Sequence, residues 1–344
     1  MKPITIVGGG LAGLTLGIGL RQRGIPVTVW EAGHYPRARV CGEFISGRGQ
    51  DTLARLGLWS LLAKAGAVLA RTAAFASPWA GSPVRPLPQP ALCLSRSEMD
   101  LLLAEHFRQS GGELCENQRW LESGFGEGIV RASGRRPQPR DNGWRCFGLK
   151  VHAREVALVA DLEVHTLPDG YVGLCRLKDG EVNVCGLFRR PQATREAAPP
   201  WQDVLRGKPG TPLRTRLAAA AFDEQSFCSV AGLCLRPQRA AARPECCLGD
   251  ALTMIPPMTG NGMSMAFEAA EIAIAPLTAY SRSEISWPSA KQAIARACDQ
   301  AFAQRLFWAR WLHWMMFAPV LQGRLGSLAL QSNWLWRQFF AKTR

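Results

Sequence analysis

The spacing of apolar positions along the chain changes several times, and each change predicts an element. The run Ile4-Thr5-Ile6-Val7 is short and almost wholly apolar, as a buried strand is, and the glycines after it lead into the helical stretch Leu14-Thr15-Leu16-Gly17-Ile18-Gly19-Leu20. Pro26-Val27-Thr28-Val29-Trp30 predicts a second strand. Residues 145–152, 161–167, 171–177 and 181–188 have strand composition. They are split by the turn sequences Pro168-Asp169-Gly170 and Lys178-Asp179-Gly180, which predicts an antiparallel sheet. Residues 72–76 and 226–235 offer further strands for it. Cys246-Cys247-Leu248 reads as one more strand, followed by a loop and a helix over 263–275. From residue 285 the period is helical, and Trp308, Trp311, Leu312, Met315 and Met316 fall at i, i+3, i+4, i+7 and i+8 of one face.

Composition narrows the class. A chain of 344 residues has room for about two domains, and 47% hydrophobic content is that of a globular protein. Pro- and Gly-rich joints at 77–90, 134–143 and 189–210 divide it. No charged, apolar and cleavable segment stands ahead of Ile4, which argues against a signal peptide. Eleven cysteines without Cys-x-x-Cys spacing or a Cys/His cluster read as reduced thiols in a cytosol, with neither zinc nor disulfides implied. The uncharged apolar stretch 314–321 is under half of the roughly 18 residues that a bilayer span needs. With Arg305, Arg310, Arg324, Arg337 and Lys342 interspersed, the C-terminal aromatics can rest on a membrane surface, wall a pocket for an apolar substrate, or cap the core. The net charge of +14 suits phosphates, acyl-carrier proteins or anionic lipid, or is a solvated surface; no basic helix or aromatic platform points to nucleic acid.

Two glycine signatures carry the chemistry. In Gly8-Gly9-Gly10-Leu11-Ala12-Gly13, Gly8 can take a turn closed to side chains, Gly10 lets backbone approach a diphosphate, and Gly13 allows tight helix-to-strand packing. The amides and positive dipole end of the following helix would hold that diphosphate. Glu31, at the end of the second strand, is placed to accept from ribose hydroxyls, and its charge disfavours a 2′-phosphate. The second signature, Gly249-Asp250, opens a segment that continues Ile255-Pro256-Pro257-Met258-Thr259-Gly260-Asn261-Gly262. Asp250 is an acceptor for sugar-like hydroxyls, the prolines stiffen the loop, and its end delivers bare amides at the start of a helix, where negative charge is stabilised.

Together these stretches resemble the para-hydroxybenzoate hydroxylase superfamily of FAD enzymes, over nearly the whole chain up to about Leu277. The resemblance implies an α/β fold: a Rossmann-like FAD-binding domain with an inserted antiparallel β-sheet substrate domain and C-terminal helices. On this basis residues 1–71, 91–135 and 237–280 form the FAD-binding domain, 72–90 and 136–236 the substrate domain, and 281–344 a helical region. The resemblance places Asp250, Pro257, Gly260, Asn261 and Gly262 around the ribityl chain and isoalloxazine. Arg37-Ala38-Arg39-Val40-Cys41-Gly42-Glu43-Phe44 is similar to the Cys-Gly loop of the geranylgeranyl-reductase-like branch, which makes Arg39, Cys41, Gly42 and Glu43 site candidates. Ser95-Arg96 resembles the family's Ser-Arg before a helix, with Arg96 reaching the cofactor. Ser133 in Ala132-Ser133-Gly134 replaces the aspartate of the hydroxylases' Asp-Gly motif. The flavin halogenases' Trp-x-Trp-x-Ile-Pro is absent, since Trp334-Leu335-Trp336 runs on into Arg337-Gln338.

The implied activity is monooxygenation of a small apolar or aromatic substrate, free or carrier-bound, with FAD reduced by NADH or NADPH. The alternative is an ene-reductase of the geranylgeranyl reductase type, in which Cys41 or Glu43 supplies a proton; a buried thiol and a surface carboxylate are the plain readings of the same two residues. A third reading keeps the fold without redox work, as a binding protein. His152 and His165 fall on the predicted substrate sheet, where alternation can aim them inward or where they are structural.

Overall fold

The computed structural model describes residues 1–121, 124–135, 143–191, 199–317 and 331–343. Arg136, Arg324, parts of the joints at 134–143 and 189–210 and the end of the stretch 314–321 lie outside the described residues.

Two sheets organise the chain. The first is parallel. Strand β1 (Ile4–Val7) lies between β2 (Val27–Trp30) and β7 (Ile129–Arg131), with β6 (Glu113–Cys115) and β13 (Cys246–Cys247) at the edges. Parallel strands covered on both faces read as continuous apolar runs, which is why Ile4, Ile6 and Val7 are all buried. Helix α1 (Leu11–Arg21) packs between α4 (Arg96–Gln109) and α7 (Gly262–Ser281). Small residues permit the approach: a Cβ on Gly17 would stand 2.7 Å from Phe107, and one on Gly19 2.3 Å from Ile274. Helix α2 (Arg48–Arg55) packs on α7, and α3 (Leu58–Lys64) on α2 and α4, in the core of the parallel sheet. Helix α7 continues beyond the predicted end at residue 275, through Pro276.

The second sheet has eight strands. They are β3 (Phe44–Ile45), β4 (Val68–Ala76), β5 (Arg85–Cys93), β8 (Trp144–Arg154), β9 (Leu162–Leu167), β10 (Gly170–Arg176), β11 (Val182–Pro191) and β12 (Ala221–Ala231), in spatial order β12-β8-β11-β10-β9-β4-β5-β3. All neighbours are antiparallel except β4 and β9. The Lys178-Asp179-Gly180 turn forms with both Asp179 (φ 54°) and Gly180 (φ 72°) left-handed, the geometry a tight hairpin requires. Two expectations shift. The last strand begins at Ala221 and ends at Ala231, with a break in register between Asp223 and Cys228. Strand pairing also draws residues 44–45, 68–70 and 91–93 to this sheet, which boundaries at 71 and 91 would leave with the first. One face of the sheet is covered by α5 (Trp201–Arg206) and α6 (Pro212–Arg216).

The C-terminal helices are α8 (Trp287–Met316) and α9 (Asn333–Thr343). Ser286 caps α8 by accepting from the amide of Ser289, with a proline in the first turn. Arg305 Nη1 donates to Glu268 Oε1 at 2.7 Å, a buried pair that pins α8 on α7. That pair rotates the helix relative to the expected face. The buried side is Cys298, Phe302, Arg305, Leu306, Ala309 and Met316, while Trp308, Leu312 and Met315 are half-buried and Trp311 is exposed. Among the described residues no helix is long and apolar enough to cross a membrane.

Candidate functional site

The two glycine signatures meet at the ends of the parallel strands. Gly8 closes β1 at φ +115°, and a Cβ there would lie 2.3 Å from the Ala132 carbonyl oxygen; one on Gly13 would lie 1.9 Å from the Gly8 carbonyl oxygen. Both glycines are demanded by packing. Gly10 is different. Its backbone is extended and a Cβ would meet nothing within 4 Å, so the residue faces open space at the start of α1. That helix begins with no side-chain cap and no acid in its first turn, which leaves its positive end to the crevice. Gly249 turns at φ 58°, and its Cβ would be 3.1 Å from Ala12 Cβ, so segments remote in sequence touch.

Asp250 and Gly262 line one cavity together with Gly249. Asp250 is open to solvent yet hemmed in by protein. The resulting desolvation raises its carboxyl pKa, against the pull of Arg96, Arg135 and Arg39. Arg96 begins α4, whose cap Ser95 accepts from the Glu98 amide at 3.2 Å. Its guanidinium reaches the fully buried Asp100 at 2.9 Å, and Arg39 Nε lies 3.3 Å from the same carboxylate. Burial lowers the Arg96 pKa, but Asp100 outweighs it and the group stays cationic.

Glu31 is already fully engaged. It accepts from the amides of Gly9 (2.9 Å) and Gly33 (2.8 Å) and from both terminal nitrogens of Arg37 (2.7 and 2.6 Å). A carboxylate offers about four acceptor sites, so a ribose hydroxyl meets Glu31 only if Arg37 gives way. Burial raises its pKa, yet these donors prevail and hold it below the usual carboxylate range. Arg37, overlooked in the sequence, was findable as the cation nearest that acid. Tyr35 fills the notch beside Gly9 and donates to its carbonyl.

In the second loop, Pro257 is exposed and Gly260 is left-handed at φ 66°, its bare Cα packed against the Phe44 ring. The Asn261 side-chain amide donates to the carbonyls of Thr259 (3.2 Å) and Thr343 (2.6 Å), tying α9 to the loop. Helix α7 then starts at Gly262 without a side-chain cap, a second open N-terminus. Ser264 donates to the Ser46 carbonyl.

The segment 39–43 crosses the inner face of the eight-stranded sheet. Val40 fits over Gly148, and Asn183 Nδ2 donates to the Cys41 carbonyl at 2.9 Å. Gly42 lies against Phe44. Cys41 is half-buried beside Arg96, and burial raises its thiol pKa. Glu43 is turned away from the crevice and wholly buried, at a left-handed φ of 60° that is costly for a residue with a side chain. Its oxygens meet the Arg96 amide (2.8 Å), Lys150 Nζ (3.3 Å) and His152 Nε2 (2.7 Å), and His152 Nδ1 reaches Glu181 at 3.2 Å. Two acids and two bases thus form one cluster, buried except at Glu181, which is partly exposed. His165 lies on the opposite face, paired across from Val172 and bonded to Glu163. Among the described residues no group of three or more His, Cys, Asp or Glu is placed to hold a metal ion.

The cluster predicts a pH dependence. Burial lowers the His152 pKa, but Glu181 and Glu43 outweigh it and raise it to about 9 from 6.5. A raised histidine stabilises the fold fully below the unfolded value and loses that contribution as pH climbs through the folded one. Urea unfolding should therefore show stability falling between pH 6.5 and 9, by on the order of 3 kcal/mol. His152→Gln should flatten that fall; an equal slope in the variant counts against the cluster.

These features fit FAD. The open space at Gly10, two uncapped helix starts and an accessible carboxylate within a crevice match a diphosphate, a flavin and the hydroxylated chain between them. A family model for an NAD(P)-binding Rossmann-like domain matches residues 6–47. The flavin-dependent brominase Bmp2 superposes with TM-score 0.77 at 16% identity, over 99% of this chain and 93% of its own. A flavoprotein/dehydrogenase from Cytophaga hutchinsonii gives 0.73 at 14% identity over 93% and 87%, and the myxobacterial chondrochloren halogenase CndH 0.70 at 19% over 92% and 82%. No curated protein matches by sequence. The chain shares the fold of these proteins, a Rossmann-like domain joined to a second, eight-stranded sheet.

Proposed function

We propose that this protein is an FAD-dependent monooxygenase that acts on a small apolar or aromatic molecule, with NADH or NADPH as electron donor. The observation that carries the substrate class is the apolar lining of the inner sheet face. Tyr171, Leu187 and Val164 gather with Met254 and Met258 of the second cofactor loop, and Trp336 and Phe340 of α9 pack beside Phe44 at the loop's other side. Bound there, FAD would supply redox chemistry, including activation of oxygen, that no protein side chain has. The chain's own residues bind and shield: Gly10 and α1 hold the diphosphate, Asp250 and Arg96 flank the middle of the cofactor, and the start of α7 stabilises negative charge on the ring system. The apolar wall excludes water and orients the substrate.

A second reading, reduction of a carbon–carbon double bond, is favoured by Cys41. Its thiol is half-buried beside Arg96 with its pKa raised by burial, whereas Glu43 is too deeply buried to touch a substrate. The halogenases that share the fold make halide incorporation a third product to score, although their Trp-x-Trp-x-Ile-Pro signature is missing at 334–338. The deciding experiment reduces the FAD-loaded protein anaerobically with NADH or NADPH, then admits oxygen, with and without bromide, over a panel of phenols, indoles and polyprenyl compounds. A product heavier by one oxygen supports the proposal. A gain of two hydrogens without oxygen supports the second reading, and a halogen in place of hydrogen overturns both.

A further inference from the structure

The burial of Arg305 turns a different side of α8 outward from the one that periodicity selected, and that outward side is aromatic. Phe307 is 64% exposed, Trp311 44% and Trp314 66%, at i, i+4 and i+7 of one helical face, with exposed Arg310 among them. The rings brace one another: Trp308 stands edge-on to both Phe307 and Trp311 at 5.6 Å. On neighbouring α9, Trp334 and Leu335 are also exposed, next to exposed Arg337.

Charge sets the kind of partner. From Gln300 to Arg344 the chain has no aspartate or glutamate, but six arginines and lysines; among the described ones, Arg305 alone meets a carboxylate, that of Glu268. A second copy of this face would set arginine against arginine with no acid between them, so self-association is disfavoured. Large amphipathic rings on the cationic part of α8 that follows Asp299, where no acid remains, fit a surface that is negative outside and apolar within.

We infer that the outward face of α8, Phe307, Arg310, Trp311 and Trp314, docks the protein on an anionic lipid bilayer, with the rings at headgroup depth and α8 lying along the surface. The inference stands apart from the flavin chemistry and is tested on protein with or without FAD. Wild-type protein should co-sediment with vesicles of phosphatidylcholine containing roughly one-third phosphatidylglycerol, far more than with phosphatidylcholine alone. Bromines on the acyl chains should quench its tryptophan fluorescence. Trp311→Ser/Trp314→Ser should weaken vesicle binding by about tenfold or more, as should adding Phe307→Ser, and Arg310→Glu by several-fold. All of these positions are exposed, so circular dichroism should be unchanged. The inference is overturned if anionic vesicles are not bound, or if the tryptophan variant binds them as well as wild type. It is equally overturned if an acidic carrier protein, and not the vesicles, protects this face.

Discussion

Gly10→Val should leave the apoprotein as stable as the wild type and abolish its uptake of FAD. The residue is extended, a conformation valine favours, and its Cβ would enter space that protein does not fill. The only thing such a side chain can obstruct is a ligand at the start of α1. Equilibrium dialysis should show affinity for FAD reduced by about a hundredfold or more, near 3 kcal/mol, with an unchanged melting curve for the apo form. Gly13→Val is the contrast. Its side chain would collide with the Gly8 carbonyl, so fold and binding should fail together. If Gly10→Val bound FAD normally, the diphosphate would have to lie elsewhere.

The second large effect belongs to Glu43. Glu43→Gln keeps the shape and the left-handed backbone but leaves Lys150 and His152 facing an uncharged amide. Breaking a buried ion cluster from one side costs roughly 3–5 kcal/mol, because the remaining charge is out of water and uncompensated. Glu43→Gln/Lys150→Met should recover much of that loss, since it removes the stranded cation along with the acid. Glu43 also accepts from the Arg96 amide, and its own amide donates to Cys41 Sγ at 3.5 Å. The single variant should therefore also change how fast Cys41 reacts with a thiol reagent. If neither stability nor Cys41 reactivity changes, Glu43 is not a positioning residue.

Backbone demands are what made the site readable. Gly8, Gly13 and Gly249 each stand where a strand, a turn and a helix start must pass close to one another, and such constraints are written locally. The strands of the substrate sheet were likewise visible, because turn residues and apolar runs alternate within a few positions. Side-chain partners were not. Nothing near Glu43 in sequence reveals that Lys150 and His152, more than a hundred residues on, receive it. Asn261 lies in a legible loop, yet its amide is engaged by the far end of the chain. The period of α8 was legible, and its rotation was not, since that depends on Glu268 meeting Arg305 across a helix pair. Alternation likewise left the orientation of His152 and His165 open until the register of β8 and β9 separated them.

The most direct test is a crystal structure of the protein grown with FAD. The account predicts the diphosphate at the amides of Leu11 and Ala12, the ribityl chain beside Asp250, and the tricyclic ring between Gly262 and the inner face of the eight-stranded sheet. FAD bound with its diphosphate away from Gly10, or crystals in which Arg37, Phe44 and α9 keep the crevice closed to saturating FAD, would contradict it.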